Sequence, residues 1–201
     1  MSTGVARLRL AAVGDAAAML AIYAPIVTDS SISFELAPPS LAEMERRIAS
    51  AESQWPWLVC ERTGELIGYA YASQHRVRAA YQWSADTSVY VRPDARRGRI
   101  ARSLYASLFE ILALQGYYNA YAGITLPNPA SVGFHESMGF TPVGVYRGVG
   151  YKLGAWHDVG WWARELQPHA PDPAPPISLA AARASPRWED AIETPWGQSQ
   201  L

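Results

Sequence analysis

The sequence is poor in cysteine and in long apolar runs, and each shortage excludes a class of protein. Cys60 is the one cysteine among 201 residues, which excludes an intramolecular disulfide framework and a metal site built from several cysteines. It stands in the run Trp57-Leu58-Val59-Cys60, which favours a buried, unreactive thiol. No stretch approaches the roughly 20 apolar residues that a membrane-spanning helix requires.

An excess of charge is also lacking. The formal net charge is −1, so neither nucleic acid nor a membrane surface is expected as a partner. Near the start of the chain, Arg7 and Arg9 alternate with apolar residues, whereas a signal peptide would show a continuous apolar stretch. We therefore expect a soluble, cytoplasmic protein.

Apolar residues make up 49% of the chain, which predicts one compact domain with a substantial core. Period-two and helical spacings predict an α/β fold in the order β-α-α-β-β-β-α-β-α-β-β. The predicted strands are Val5–Leu10, Trp57–Arg62, Leu66–Ser73, Thr87–Val91, Tyr117–Thr125, Phe140–Val149 and Trp156–Leu166. The predicted helices begin after caps at Asp15 and Ser40 and cover Ile100–Gln115, ended by Gly116, and Asn128–Met138.

The last part of the chain differs in composition, so we divide the sequence into a domain over 1–166 and a tail over 167–201. The tail holds seven of the 15 prolines and shows little periodicity, which predicts a loosely ordered segment. Trp188 and Trp196 leave open the alternative that the tail is anchored on the domain or on a second subunit.

The most informative stretch lies between a predicted strand and a long helix, and reads Val89-Tyr90-Val91-Arg92-Pro93-Asp94-Ala95-Arg96-Arg97-Gly98-Arg99-Ile100-Ala101. A helix N-terminus offers free N–H groups and the positive end of the helix dipole, which suits a pyrophosphate. Glycine lets the main chain approach a ligand, and arginines add charge-assisted bonds. A solvated basic loop before an ordinary helix fits these residues about equally well.

This stretch resembles the acetyl-CoA signature of GCN5-related N-acetyltransferases (GNAT), written [QR]-x-x-G-x-[GA], with Arg99 where the family has its central glycine. The resemblance implies one GNAT domain with a mixed, mostly antiparallel sheet flanked by helices, acetyl-CoA as co-substrate, and no metal. The cofactor-binding residues that it implies here are Val89, Tyr90, Val91, Arg96, Arg97, Gly98, Arg99, Ile100, Ala101 and Arg102.

A second family-like stretch runs from Asn128 to Phe140. Asn128 can cap a helix or bond the pantetheine arm of the cofactor, and Ser131 and His135, four residues apart, share a helix face. The resemblance implies that Asn128 and Ser131 also bind the cofactor. Finer matches point to the phosphinothricin and methionine sulfone acetyltransferase branch. They include Ser33-Phe34-Glu35, Tyr81-x-Trp83, Leu126-Pro127-Asn128 and the run from Gly150 to Gly160.

The branch implies Asp86 and His135 as catalytic residues. Asp86 stands where the branch has a glutamate, so we expect it to act through a water; a strand-capping role is the alternative. Imidazole suits proton transfer near neutral pH. The branch also implies that the strand carrying Val89 and Val91 is bulged and splayed from its neighbour, exposing main-chain N–H groups.

Phe34, Arg78 and Tyr81 are the expected substrate-binding residues, with Arg78 placed to hold a carboxylate. The expected reaction is transfer of the acetyl group to the amine of a small amino-acid-like substrate by direct attack. Other amines (a polyamine, an aminoglycoside, a protein N-terminus) and a non-catalytic acetyl-CoA sensor remain alternatives. The branch further implies a homodimer.

Overall fold

The computed structural model describes residues 6–96 and 99–193 and contains one sheet of seven strands in the order β1-β2-β3-β4-β5-β7-β6. The strands are β1 Arg7–Leu10, β2 Trp57–Arg62, β3 Glu65–Gln74, β4 Ser84–Val91, β5 Asn119–Leu126, β6 Thr141–Lys152 and β7 Ala155–Glu165. The helices are α1 Ala16–Asp29, α2 Leu41–Ala51, α3 Ile100–Gln115, α4 Pro129–Ser137, α5 Leu179–Arg183 and α6 Trp188–Ile192. Neighbouring strands are antiparallel except β4 and β5, which are parallel. The predicted α/β class and element order are confirmed through β7.

Helices cover both faces of the sheet. On one face, α1 and α2 bury Met19, Val27 and Ile48 at helical spacing against the sheet. On the other, α3 buries Leu104 and Leu108 among a larger cluster, as its periodicity predicts. Each such side chain contributes roughly 1.5–3 kcal/mol by leaving water. The sheet is therefore held rigidly between two apolar layers.

Cys60 lies within this core and is 1% exposed. Burial raises the pKa of its thiol to about 11. The predicted burial of the thiol is confirmed, and its lack of reactivity stays a prediction that the raised pKa favours.

Two of the predicted caps are present and one is not. Ser40 Oγ accepts a bond from the Glu43 N–H at 3.2 Å, and Gly116 ends α3 with φ +93°. Asp15 makes no capping bond to α1, because its carboxylate accepts from the Arg9 guanidinium at 2.7 and 2.8 Å and from the Ala12 N–H. A salt bridge therefore replaces the cap expected at Asp15.

The tail differs from the loosely ordered segment that its composition predicts, as far as Glu193. It contains α5 and α6, which pack against α3 and bury Leu179 and Trp188. Gln115 Nε2 donates to the Ile177 carbonyl at 3.2 Å, which fixes the approach of the tail. The apolar residues of these two five-residue helices pack against α3, and their burial orders the segment despite its prolines. Trp196 and its neighbours lie outside the described residues, and the division at residue 166 stays a prediction.

The start of β4 bears on the site. This strand begins at Ser84, earlier than predicted, because it continues its pairing with β3 to Gln74–Ala85, so Asp86 lies inside the strand.

No helix in the described part of the chain combines the length and apolarity needed to cross a bilayer.

Candidate active site

The parallel strands β4 and β5 part from each other near their midpoints. They pair at Ser84–Asn119, Ala85–Ala120 and Asp86–Tyr121, and no pairing joins residues 87–91 to residues 122–126. A cavity of about 70 Å³ lies at this gap, and its lining includes Thr87, Val89, Gly123, Asn128, Ser131 and His135. One side of β4 is thus left without a strand partner beyond Asp86.

The expected splay is present, but the expected bulge is not. The ladder between β3 and β4 runs without a register shift from Gly68–Val91 to Gln74–Ala85. The main chain of β4 is exposed because its pairing with β5 ends, rather than because an extra residue is inserted. The side chains of Val89 and Val91 pack against the core on the α3 side, and Tyr90 packs 5.1 Å from Tyr23 of α1.

Asp86 and His135 lie on opposite faces of the sheet beside this gap. Side chains alternate along β4, and Ala85 and Thr87 are buried on the α3 face, so Asp86 points to the face that α1 and α2 cover. His135, on α4, contacts Tyr105 of α3 and therefore belongs to the other face. A ligand that extended through the gap would contact Asp86 on one face of the sheet and His135 on the other.

Asp86 is held by a histidine that the sequence analysis did not single out. Asp86 Oδ1 lies 2.6 Å from His75 Nδ1, and the two side chains are 30% and 11% exposed. The His75 ring stacks on Tyr121 with centroids 4.2 Å apart. Burial raises the pKa of Asp86, and the bond to His75 and the positive charge of Arg76 oppose this rise.

His135 is buried and bonded through both ring nitrogens. Nδ1 lies 2.8 Å from the Ser131 carbonyl oxygen, and Nε2 lies 3.1 Å from the Tyr105 hydroxyl. Burial lowers the pKa of His135, and the Ser131 carbonyl opposes this by favouring a protonated ring. A neutral ring therefore donates from Nδ1 to Ser131 and accepts at Nε2 from Tyr105. Helical spacing gave no sign of this tyrosine's role, because it reads as one more core residue of α3.

Asn128 caps α4, the first of its two predicted alternatives. Its Oδ1 accepts a bond from the Ser131 N–H at 3.1 Å, and Pro129 occupies the first helical turn. Asn128 and Ser131 both line the gap, so the cap also fixes the end of α4 beside it.

The turn before α3 carries the predicted anion-binding features that fall within the described residues; Arg97 and Gly98 lie outside them. Arg99 has φ +61°, the left-handed conformation that favours glycine, which explains why a glycine suits this position. Ile100 and Ala101 form the first turn of α3, whose N–H groups lack intrahelical partners. Arg96 lines a groove of about 590 Å³ that also borders Val91.

Other arginines near this turn are committed to protein contacts. The Arg102 guanidinium donates to the carbonyl and hydroxyl oxygens of Ser137 at the end of α4. Arg92 forms ion pairs with Glu65 and Asp94. The cofactor contact predicted for Arg102 stays a prediction, and its observed contact joins α3 to α4.

The three predicted substrate-binding residues lie on two segments, Arg78 and Tyr81 between β3 and β4 and Phe34 after α1. Tyr81 is 44% exposed, with its ring 6.0 Å from that of His75. Arg78 precedes it on the same exposed loop; its carbonyl oxygen accepts a bond from the Tyr81 N–H at 2.9 Å, and its guanidinium has no hydrogen bond or ion pair within the described residues. Phe34 lies against Gly150 of β6 and 6.3 Å from the His157 ring. Within residues 6–96 and 99–193, no three His, Cys, Asp or Glu residues are grouped as a metal site.

Comparison with known proteins agrees with this arrangement. Residues 8–161 match the acetyltransferase (GNAT) domain family. The phosphinothricin N-acetyltransferase of Streptomyces viridochromogenes is 36% identical over 172 residues, covering 85% of this chain and 94% of the relative. The L-methionine sulfoximine/L-methionine sulfone acetyltransferase of Pseudomonas paraeruginosa is 33% identical, covering 81% and 96%.

A solved structure shows the same fold. The GNAT superfamily phosphinothricin acetyltransferase of Sinorhizobium meliloti, in complex with acetyl-CoA, superposes with a TM-score of 0.78 at 32% identity. The match covers 85% of this chain and 94% of that one. The chain belongs to the GNAT family of N-acetyltransferases.

Proposed function

We propose that the protein transfers the acetyl group of acetyl-CoA to the amine of a small amino-acid-like substrate, of the phosphinothricin, methionine sulfone or methionine sulfoximine type. The observation that carries this proposal is the gap between β4 and β5, with Asp86 on one face and His135 on the other. Relatives that act on these substrates align with most of the chain.

The described residues fit acetyl-CoA, which supplies an activated acetyl thioester. The first turn of α3 and the Arg96 side chain would hold the pyrophosphate. The unpaired side of β4 at residues 87–91 would pair with the amide groups of the pantetheine arm, as an exposed strand edge does with an extended peptide. The same main-chain N–H groups would stabilise the oxyanion that forms at the thioester carbon.

Asp86 and His135 then divide the proton transfers. The substrate enters as an ammonium ion, and a group on the Asp86 face must take its proton before nitrogen can attack. The thiolate that leaves needs a proton, and the neutral His135 and Tyr105 pair lies on the opposite face to supply or relay it. Two faces of one gap thus serve the two halves of the reaction.

The substrate class rests on the loop after β3. Arg78 is exposed and would pair with the α-carboxylate of the acceptor, while Tyr81 and Phe34 form its aromatic walls. A polyamine would place like charges together at Arg78. The carboxylate partner therefore favours an amino acid over a polyamine.

We also propose a cytoplasmic homodimer that uses neither nucleic acid nor a membrane as partner. The β6–β7 hairpin supports the homodimer, because it exposes the apolar side chains Val143, Val145, Tyr146, Val149, Tyr151 and Trp156. A second copy of the chain would cover this surface. Sedimentation velocity should give twice the chain mass of 22.0 kDa.

Release of free CoA thiol, followed with a chromogenic disulfide, tests the reaction directly. We expect turnover with methionine sulfone, methionine sulfoximine and phosphinothricin. Spermidine, kanamycin and an alanine-initiated peptide, assayed in parallel, should be poor acceptors. Acetyl-CoA binding by calorimetry without turnover on any acceptor would instead indicate a sensor.

A further inference from the structure

The His75 ring is fixed on several sides beside the gap. It follows β3 directly, stacks on Tyr121 of β5 at 4.2 Å, and meets Trp161 of β7 edge-on at 6.0 Å. Tyr81, from the predicted substrate loop, approaches at 6.0 Å. A surface histidine free to rotate would lack these contacts, so the ring has one defined orientation.

The hydrogen bond to Asp86 determines which ring nitrogen of His75 carries the proton. Nδ1 lies 2.6 Å from Asp86 Oδ1, so a neutral ring carries its proton on Nδ1 and donates it to the carboxylate. Nε2 has no hydrogen-bond partner within the described residues. The lone pair of this ring therefore lies on the nitrogen that points away from Asp86.

We propose that His75 is the catalytic base, with Nε2 taking the substrate proton and Asp86 orienting the ring. This assignment rests on the proposed function. It follows the logic of a nucleophile–base–orienter triad, in which a carboxylate fixes the tautomer of an imidazole and stabilises the imidazolium. The short Asp86 side chain then needs no bridging water, because the imidazole spans the distance to the amine.

The proton and bond changes balance. Nε2 takes one proton from the substrate ammonium, and the resulting amine nitrogen attacks the thioester carbon. The C–N bond forms and the C–S bond breaks. The His135–Tyr105 pair takes the second proton from the nitrogen and gives one proton to the departing sulfur, so the pair ends in the protonation state in which it began. The imidazolium of His75 returns its proton to solvent after product leaves. No oxidant, metal or further reactant is required.

The charges facing His75 favour this role. Asp86 of β4 is the carboxylate in contact, and Tyr81 and Tyr121 are the nearby phenols. Arg76 is the nearby cation, but its guanidinium donates to the His75 carbonyl oxygen and lies 5.4 Å from the Trp161 ring. One carboxylate therefore touches the ring directly, while the cation is engaged elsewhere.

The test compares His75→Phe with wild type on methionine sulfone at saturating acetyl-CoA from pH 6 to 10. Phenylalanine keeps the stacking on Tyr121 and removes both nitrogens. We expect kcat/KM to fall on the order of 10²–10³-fold at pH 7. The rate of the variant should then rise tenfold per pH unit until most of the substrate amine is unprotonated. Above that pH, the difference in rate between the variant and wild type should become smaller.

His169→Phe is the matched control, because His169 also stacks on a tyrosine, Tyr118, and lies 3.5 Å from the carboxylate of Glu165. It follows β7 and stacks on the residue just before β5, whereas the gap lies at residues 122–126 of β5, so the pH profile of this variant should match wild type. His75→Gln provides a second variant should the phenylalanine protein fail to fold, since the amide can still donate to Asp86 but is not a base.

A double variant separates this proposal from a direct role of Asp86. If the two residues act as one unit, adding Asp86→Asn to His75→Phe should lower the rate less than threefold further. His75→Phe and His75→Gln with wild-type pH profiles would overturn the assignment and leave Asp86 as the base. A wild-type protein inactive on all amino acids would overturn the proposed function itself, and this assignment with it.

Discussion

The Phe34 ring occupies the space that a Cβ atom on Gly150 would fill, so a residue of the loop after α1 packs directly on the main chain of β6. Lys152, two residues further along β6, donates from Nζ to the carbonyl oxygens of Val27 and Ser33, each at 2.6 Å. The loop that carries Phe34 is therefore anchored on the last hairpin by a buried ammonium group. Position 150 has to be glycine for the ring to stay where it is.

Gly150→Ala should displace Phe34 and raise the KM for methionine sulfone roughly tenfold, on the order of 1.4 kcal/mol of binding free energy. The KM for acetyl-CoA should stay unchanged, because Phe34 is predicted to contact the acceptor and not the cofactor. Gly144→Ala is the control on the same strand, since nothing lies within 4 Å of a Cβ there. Equal KM values for all three proteins would show that Phe34 is not part of the substrate wall.

Asp86→Asn should keep acetyl-CoA binding and lower turnover at neutral pH on the order of 10²–10⁴-fold. Stopped-flow or steady-state thiol release measures the rate, and calorimetry measures the binding. Asp172→Asn, an exposed carboxylate in the tail, is the control and should be neutral. Activity of the Asp86 variant within a factor of two of wild type would remove this carboxylate from the mechanism.

The same variant should also be more stable than wild type at pH 7. Burial raises the folded-state pKa of Asp86 above the unfolded value of about 3.9, so the folded state binds more protons and stability falls as pH rises through that window. Asparagine removes this cost. Urea unfolding should show a gain at pH 7 that disappears below about pH 4, where both side chains are uncharged.

Much of this site could be predicted from the sequence, because its residues lie in short local motifs. Asn128, Ser131 and His135 lie within about two turns at the start of one helix, and the strand–turn–helix around Arg96 is contiguous. His75 and Tyr105 could not be found in this way. His75 meets Asp86 through the register that pairs Ser73 with Asp86, and that register is not fixed by the nine intervening residues of sequence between β3 and β4.

The other features that could not be predicted from the sequence also depend on tertiary contacts. Tyr105 reads as a core position of α3, and only the packing of α4 brings its hydroxyl to the imidazole of His135. The tail helices are five residues each, too short for periodicity to show. The missing bulge in β4 reflects a main chain that separates from β5 without changing its register with β3. Each is a tertiary contact that local pattern does not encode.

His135→Phe should change both the pH–rate profile and the pH dependence of stability. Burial lowers the folded-state pKa of His135 below the unfolded value of about 6.5, so the unfolded state binds more protons and wild-type stability falls as pH drops below about 6.5. The phenylalanine variant should lose this part of the slope between pH 7 and 5. A pH–rate profile that overlays wild type would make His135 a packing residue.

Arg99→Gly should stabilise the turn before α3. Arg99 adopts φ +61°, which costs a residue with a Cβ about 1 kcal/mol relative to glycine. Arg99→Ala removes the same side chain and keeps the backbone strain, so the difference between the two variants isolates the conformational term. Thermal unfolding should place the glycine variant roughly 2–4 °C above the alanine variant, and equal midpoints would contradict a strained backbone at this position.

The carboxylate contact proposed for Arg78 is the most direct test of the substrate class. If its guanidinium pairs with the α-carboxylate, methionine sulfone should be a better acceptor than its amide by roughly ten- to 150-fold, since an unpaired charged group costs about 1.5–3 kcal/mol. Arg78→Leu should reduce kcat/KM for the acid by a comparable factor and leave the amide nearly unchanged, so protein and ligand changes form a double-mutant cycle. Arg76→Leu is the comparison, because Arg76 lies on the same loop as Arg78 but its guanidinium lies over the ring of Trp161 in β7. A loss specific to the acid in that variant instead would move the carboxylate site to Arg76, and equal wild-type rates on acid and amide would favour peptide or polyamine acceptors.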